Sequence, residues 1–319
     1  MPSDRLPQRG IVARYLPARK SAPQSAGSDL LFNVTAPVVA SRVLFPRLLD
    51  ASVDRARNGG RALFVANAHA RWFFGQSLVF WADPAELQWR LKDWVYDGQS
   101  NIQLSRRFVD DGDWTDVITG VADTAEHRET LEIVAYGSRY PRSRTFRRMV
   151  LRARKNKPIR RYGIRLDTED KIQAYFRYFL ALIDSVRQHG LQDSGALADL
   201  NVPIGVGVRG RHVRHNRNIG VAIAADGRLL RFLGGRHRTA IAQALKLPAV
   251  PVEIRFVHAE WLAQETARTG LTAVKALQDW VRRAPDPLSC AKRPLVESFA
   301  DLRDWRGGQM VDGVPVPGE

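Results

Sequence analysis

The run Gly234-Gly235-Arg236-His237-Arg238 has the residue types of an anion-holding turn. Adjacent glycines let a chain turn tightly and bring its backbone close to a ligand. If a helix opens directly after them, the N–H groups of its first turn have no carbonyl partner and point at negative charge. Arg236 and Arg238 can fork onto phosphate oxygens. His237 can donate a hydrogen bond or move a proton near neutral pH. On these residues alone, Gly234, Gly235, Arg236, His237 and Arg238 form the candidate binding set, with His237 and Arg238 as the candidate catalytic pair.

The flanking sequence supplies the elements such a turn needs. Ile219, Val221 and Ile223 alternate as a strand, Asp226-Gly227 signals a tight turn, and 229–233 reads as a second strand. A helix over 236–247 follows, with Ile241, Ala244 and Leu245 inward and Pro248 ending it. Val250, Val252, Ile254 and Phe256 then give a third strand of period two.

Two further basic segments could meet anions. The segment 209–217 adds Arg211 and Arg214 as candidate phosphate contacts. It also holds His212 and His215, but with no acid or cysteine close by it makes a poor metal site, and no metal ligand is assigned. Residues 139–165 hold twelve Arg or Lys and no acid, with Phe146, Met149, Val150 and Leu151 interleaved. A basic amphipathic helix over 145–155 fits, suited to nucleic acid or an acidic membrane surface, as does a solvated face. Carboxylates with an acid–base role are scarce. Asp226 reads as a turn residue, Glu253 alternates with core positions, Glu260 lies near His258, and Asp111-Gly112-Asp113 reads as a plain turn.

The stretch 219–257 resembles the ParB/sulfiredoxin superfamily, above all in Asp226-Gly227-Arg228, Gly234 to Arg238, Ala240-Ile241-Ala242 and Val250-Pro251-Val252. The resemblance extends loosely upstream to about 180. It implies that the glycine–Arg–His turn holds the phosphates of a nucleoside triphosphate or diphosphate with Mg²⁺, in an NTP-dependent phosphotransferase or NTPase. Arg236 stands where sulfiredoxins carry cysteine, and Gly234 where the related serine kinases carry aspartate. The helix-turn-helix and metal ligands that follow the domain in ParB proteins have no counterpart after Trp261. The alternatives are a basic nucleic-acid-binding protein using 139–165 and 209–217, and a non-catalytic sensor of a nucleotide or phosphorylated glycan.

The whole chain has 319 residues, 45% of them hydrophobic, enough for a real core. Lys and Arg number 49 against 33 Asp and Glu, a formal +16 that draws anionic partners without choosing among them. The single cysteine, Cys290, reads as a free structural thiol. No apolar run reaches the length of a membrane span and no signal pattern is seen, so a cytoplasmic protein is expected.

The fold class expected is α/β (α+β): a small mixed sheet with a ParB/sulfiredoxin-like core, plus a helix-rich N-terminal region. The expected divisions are a flexible tail over 1–28, a mixed α/β region over 30–158, the ParB-like domain over 160–260, and a C-terminal helix and tail over 261–319. Short strands are expected at 63–65 and 78–81. Asp83, Pro84 and Glu86 look like the start of a helix running to about 96, and Asp167 or Thr168 caps another ending at Gly190. A helix over 262–281 closes the set. Trp72, Trp81, Trp89, Trp94 and Trp114 are assigned to packing rather than to a stacking surface.

Overall fold

The computed structural model describes residues 13–18, 41–161, 164–191 and 218–284, and they form a mixed α/β fold. Its centre is β10 (Ile219–Ile223), buried at every residue because both faces of the sheet are covered. Ile219, Val221 and Ile223 enter the larger hydrophobic core, while Ala222 enters a second one with Leu230, Phe232 and Phe256. Around β10 lie β12 (Val250–His258), parallel, and β11 (Leu229–Arg231), antiparallel. The sheet continues through β2 (Val79–Ala82) beyond β12, and through β3 (Trp89–Leu91) and β7 (Ile118–Gly120) beyond β11. β6 (Val109–Asp110) pairs with the end of β12. A smaller sheet of β1 (Leu16–Pro17), β4 (Trp94–Tyr96) and β5 (Asn101–Gln103) goes with the second core, to which Tyr15, Val95 and Leu104 belong.

Helices complete the larger core. α1 (Leu44–Arg57) contributes Phe45, Leu49 and Val53, and α5 (Glu169–His189) contributes Ile172, Phe176, Phe179 and Ile183 at helical spacing. Thr168 caps α5 by accepting from the Lys171 amide, and Gly190 ends it with φ of 69°. Each fully buried Phe here contributes about 1.5–3 kcal/mol relative to exposure. Between them in sequence come α2 (Asn67–Phe74), α3 (Ala125–Tyr136), α4 (Arg144–Arg154) and the hairpin β8 (Ile159–Arg161) and β9 (Ile164–Leu166). α6 (Arg236–Ala244), α7 (Ala259–Thr269) and α8 (Ala273–Arg283) follow. Among the described residues, no helix is long and apolar enough to cross a membrane.

Several expected elements change. The helix expected over 84–96 is one short 3-10 turn, Pro84–Glu86, followed by β3 and β4. Asp83 does cap that turn, accepting from the Ala85 amide at 2.8 Å. What overrides the helical spacing is strand pairing: Leu91 and Val95 are buried, while Arg90, Trp94 and Tyr96 are only partly so. Residues 63–65 are not a strand; they lead into α2, and the Val65 carbonyl accepts from the Phe108 amide at 2.7 Å. β11 stops at Arg231 because Leu233 turns left-handed, and α6 stops at Ala244 before left-handed Lys246. The single helix expected over 262–281 is two, broken at left-handed Gly270. In β12 the period of two fails at Arg255, a bulge opposite the Val221–Ala222 step, which sends Phe256 to the second core.

The boundary expected near 158 does not divide the sheet. β2, β3, β6 and β7 come from before it and β10, β11 and β12 from after it. α7 and α8, which fall in the expected C-terminal helix and tail, are tied to α1: the Ala273 amide donates to Asp50 at 2.7 Å and Arg57 donates to the Thr266 hydroxyl at 2.7 Å.

Candidate anion-binding site

β3 and β11 run parallel, and the one pair in register between them is Arg90 with Arg231. Two guanidinium groups on directly paired positions repel, which ordinarily costs a sheet stability. Arg231 is only 4% exposed. Its Nη1 donates to the Gly234 carbonyl at 3.2 Å, but its Nε is buried with no hydrogen-bond partner among the described residues. Burial pushes the Arg231 guanidinium down to about 10, with help from the neighbouring charges of Arg236 and Arg90 and against the pull of Glu126. Arg90 is also lowered, by burial and then by Arg236, while its Nε donates to the Thr119 hydroxyl at 3.0 Å.

The turn above this floor is built as its glycines suggest. Leu233, Gly234 and Gly235 are left-handed in succession, with φ of 57°, 77° and 69°. Leucine pays about 1–2 kcal/mol for that conformation, and such strain concentrates where geometry serves a ligand. At Gly235 a Cβ would stand 2.9 Å from the Cα of Ile219, so no side chain fits. The first backbone bond of α6 is Thr239 N–H to the Gly235 carbonyl, 2.8 Å, which leaves the amides of Arg236, His237 and Arg238 without intrahelical acceptors.

Between floor and turn lies a cleft of about 510 Å³. Its lining combines the cations Arg90, Lys92, Arg231 and Arg236 with apolar and aromatic surface from Leu91 and Trp94. Asp93 is its acid, and both carboxylate oxygens are engaged: one accepts from the Ser105 amide at 2.7 Å, the other from Gln103 at 3.3 Å. Arg236 donates to Glu126 at the rim, 3.2 Å. Glu126 is lowered overall: burial works to raise it, and its own backbone amide, Arg236 and Arg161 more than offset that.

The expected site residues separate. Gly234 and Arg236 line the cleft, and Gly235 shapes it, but His237 and Arg238 are not among the lining residues. Arg238 donates to the Asn218 carbonyl at 3.4 Å. His237 packs on Phe179, and its Nδ1 lies 2.5 Å from the Thr130 hydroxyl. That hydroxyl gives its hydrogen to the Glu126 carbonyl, so the histidine carries its proton on Nδ1 and donates to Thr130. Burial pushes His237 down to about 4, so the ring is neutral at pH 7. Arg211, Arg214, His212, His215 and Cys290 lie outside the described residues.

Among the described residues no group of three His, Cys, Asp or Glu is placed to hold a metal. With Asp93 engaged and Glu126 on Arg236, the donor set does not fit a protein-held Mg²⁺; the positive charge of this cleft is that of Arg90, Lys92, Arg231 and Arg236. Of the other acids considered, Glu253 pairs with Arg255 at 2.8 Å and Asp226 with Arg228 at 2.6 Å.

Sequence reading missed Arg90, Arg231 and Glu126. Arg231 looked like one more strand residue, and nothing local tells that Arg90 becomes its partner. A second buried set, Glu129 with Arg161 at 2.7 Å and with the Tyr175 hydroxyl at 2.5 Å, ties α3 to β8 and α5 behind the site.

His127, just across α3 from this set, is also pushed down to about 4 by burial and then by Arg231. His127 and His237 therefore stay neutral in the folded state while an unfolded chain protonates near 6.5. Their stability contribution is complete above about pH 6.5 and is lost as pH falls toward 4, by up to about 1.4 kcal/mol per pH unit for each histidine. Urea denaturation at pH 7, 5.5 and 4.5 should show that slope, and His127→Gln should remove one proton's share of it. An unchanged slope in the variant would contradict the assignment.

Comparison with family models, curated proteins and solved structures found no match to this chain.

Proposed function

We propose that the chain binds a nucleoside diphosphate or triphosphate, with its phosphates against Arg90, Arg231, Arg236 and the turn at Gly234. The observation that carries this reading is Arg231: a buried guanidinium with an unsatisfied Nε, paired in register with a second arginine at the floor of a cleft. A fold bears that cost where an anion repays it. The ligand class follows from the lining, since four cations beside Leu91 and Trp94 suit a molecule with several phosphate charges and a flat apolar part. The resemblance around Gly234 to Arg238 points to the same class. Binding is the function this geometry supports, since His237 and Arg238 stand outside the cleft lining.

Thermal denaturation with pyrophosphate, ADP, ATP and CTP, each with and without Mg²⁺, tests it. At a concentration of 100 Kd a ligand adds about 2.7 kcal/mol, or roughly 4–6 °C in Tm for a chain of this size. Pyrophosphate alone should give part of the shift and a nucleotide more, with Mg²⁺ not required. No shift with any of them removes the proposal.

A further inference from the structure

The basic segment 139–165 takes no part in the cleft, and its structure is unusual in its own right. α4 spends its whole apolar side on the larger core, through Phe146 and Met149. Its outer side carries Arg144, Arg147, Arg148, Arg152 and Arg154, with Lys155 just beyond, and all six are exposed. Four-residue steps along a helix advance about 6 Å, so Arg144, Arg148 and Arg152 form a straight row of charge. Three of the arginines sit in the first turns, where the helix dipole disfavours cations; the helix has no acid of its own there, and the one carboxylate at its start, Glu132 of α3, is taken by the amide and hydroxyl of Thr145.

The neighbouring hairpin repeats the pattern. Arg160 and Arg165 face one another in register across β8 and β9, and both are exposed. Like charges directly opposed in a two-stranded sheet cost stability. Acid relief is partial: Arg161 of β8 is held by Glu129 at 2.7 Å, while on the outer side Glu169 is 3.6 Å from Arg154 and Asp167 is 3.6 Å from Arg165. Arg144, Arg147, Arg148 and Lys155 have no ion pair with any described residue.

We propose that α4 and the β8–β9 hairpin form a docking surface for the phosphate backbone of nucleic acid, bound without sequence readout. A rigid row of guanidinium groups fits a regular polyanion, and their repulsion is relieved when phosphates replace solvent between them. The lipid alternative is disfavoured by the same helix. Interfacial binding needs an apolar face to enter the bilayer, and α4 has already buried its own, leaving Leu151 as its one exposed large apolar residue.

Fluorescence anisotropy with a labelled duplex of mixed sequence, about 30 base pairs long, between about 50 and 200 mM salt tests this. The wild-type protein binds, and log K falls with log salt at a slope of about −0.9 per phosphate contacted. Arg147→Gln, Arg148→Gln and Lys155→Gln together lower affinity more than tenfold and flatten the slope by about 2–3. Because these side chains are exposed, Tm should hold. Arg160→Gln with Arg165→Gln gives an independent second variant, expected to weaken binding and to leave the hairpin no less stable. Arg231→Met, in the cleft, leaves DNA affinity unchanged. The proposal fails if the duplex is not bound at 50 mM salt, if both multiple variants bind like wild type, or if phosphatidylserine vesicles retain the protein and the duplex does not.

Discussion

Arg231→Met should make the unliganded protein more stable while removing its response to phosphate. Arg231 is a desolvated cation with an unsatisfied Nε, set beside the cations Arg90 and Arg236. Methionine fills similar space without a charge, so it ends the repulsion and the desolvation cost, at the loss of one hydrogen bond to the Gly234 carbonyl. The net gain should be about 1–2 kcal/mol, read as a Tm rise of roughly 2–5 °C. Pyrophosphate or nucleotide affinity should fall by about ten- to a hundredfold, the range for losing a hydrogen bond to a charged group. Arg231→Lys separates the two effects. It retains the buried charge without the planar fork, so it should bind weakly and gain no stability. If Arg231→Met instead melts several degrees lower than wild type, the guanidinium is holding the fold and the site must be sought elsewhere.

Gly220→Ala should prevent folding. Gly220 lies in the middle strand, β10, where it accepts a hydrogen bond from the Phe232 amide at 2.7 Å. A Cβ there would stand 2.2 Å from the Phe232 carbonyl oxygen and 2.4 Å from that of Leu233. Both are backbone atoms in the run leading to the left-handed turn, so neither can yield as the end of a side chain would. The methyl group must push β11 away from β10, at more than about 4 kcal/mol. Soluble yield and the circular-dichroism melt measure this. Gly190→Ala is the comparison: its φ of 69° with ψ of −175° is strained for alanine, but nothing lies within 4 Å of the added atom, so it should cost only about 1–3 kcal/mol. A Gly220→Ala protein melting within a few degrees of wild type would show that the close approach is dispensable.

What the sequence revealed depended on how far apart the interacting residues lie. The Gly234-Gly235 turn, the start of α6, the capped α5 and the strand–turn–strand of β10 and β11 are set by neighbouring residues, and their residue types announce them. Residues 84–96 misled because a good helix start at Asp83 and Pro84 is followed by apolar residues at helical spacing. Their fate was decided by β11 and β7 for β3 and by β1 and β5 for β4, to which the local pattern makes no reference. The bulge at Arg255 is invisible for the same reason, being a mismatch between two strands. The site divides likewise. Gly234 and Arg236 were legible, Arg90 and Arg231 become a site only through pairing, and His237 looked reactive until its ring was found between Phe179 and Thr130.

The pairing of β3 with β11 also bears on the order of events during folding. Arg90 and Arg231 are far apart in the sequence, with three helices and a hairpin between them, and closing so large a loop is slow. Until those two strands meet, the polyphosphate site proposed above does not exist. A ligand whose site appears only with that long-range contact cannot hasten the steps that precede it. It can act only by holding the finished molecule together, so its benefit should be felt in the lifetime of the folded protein and not in the speed of its formation.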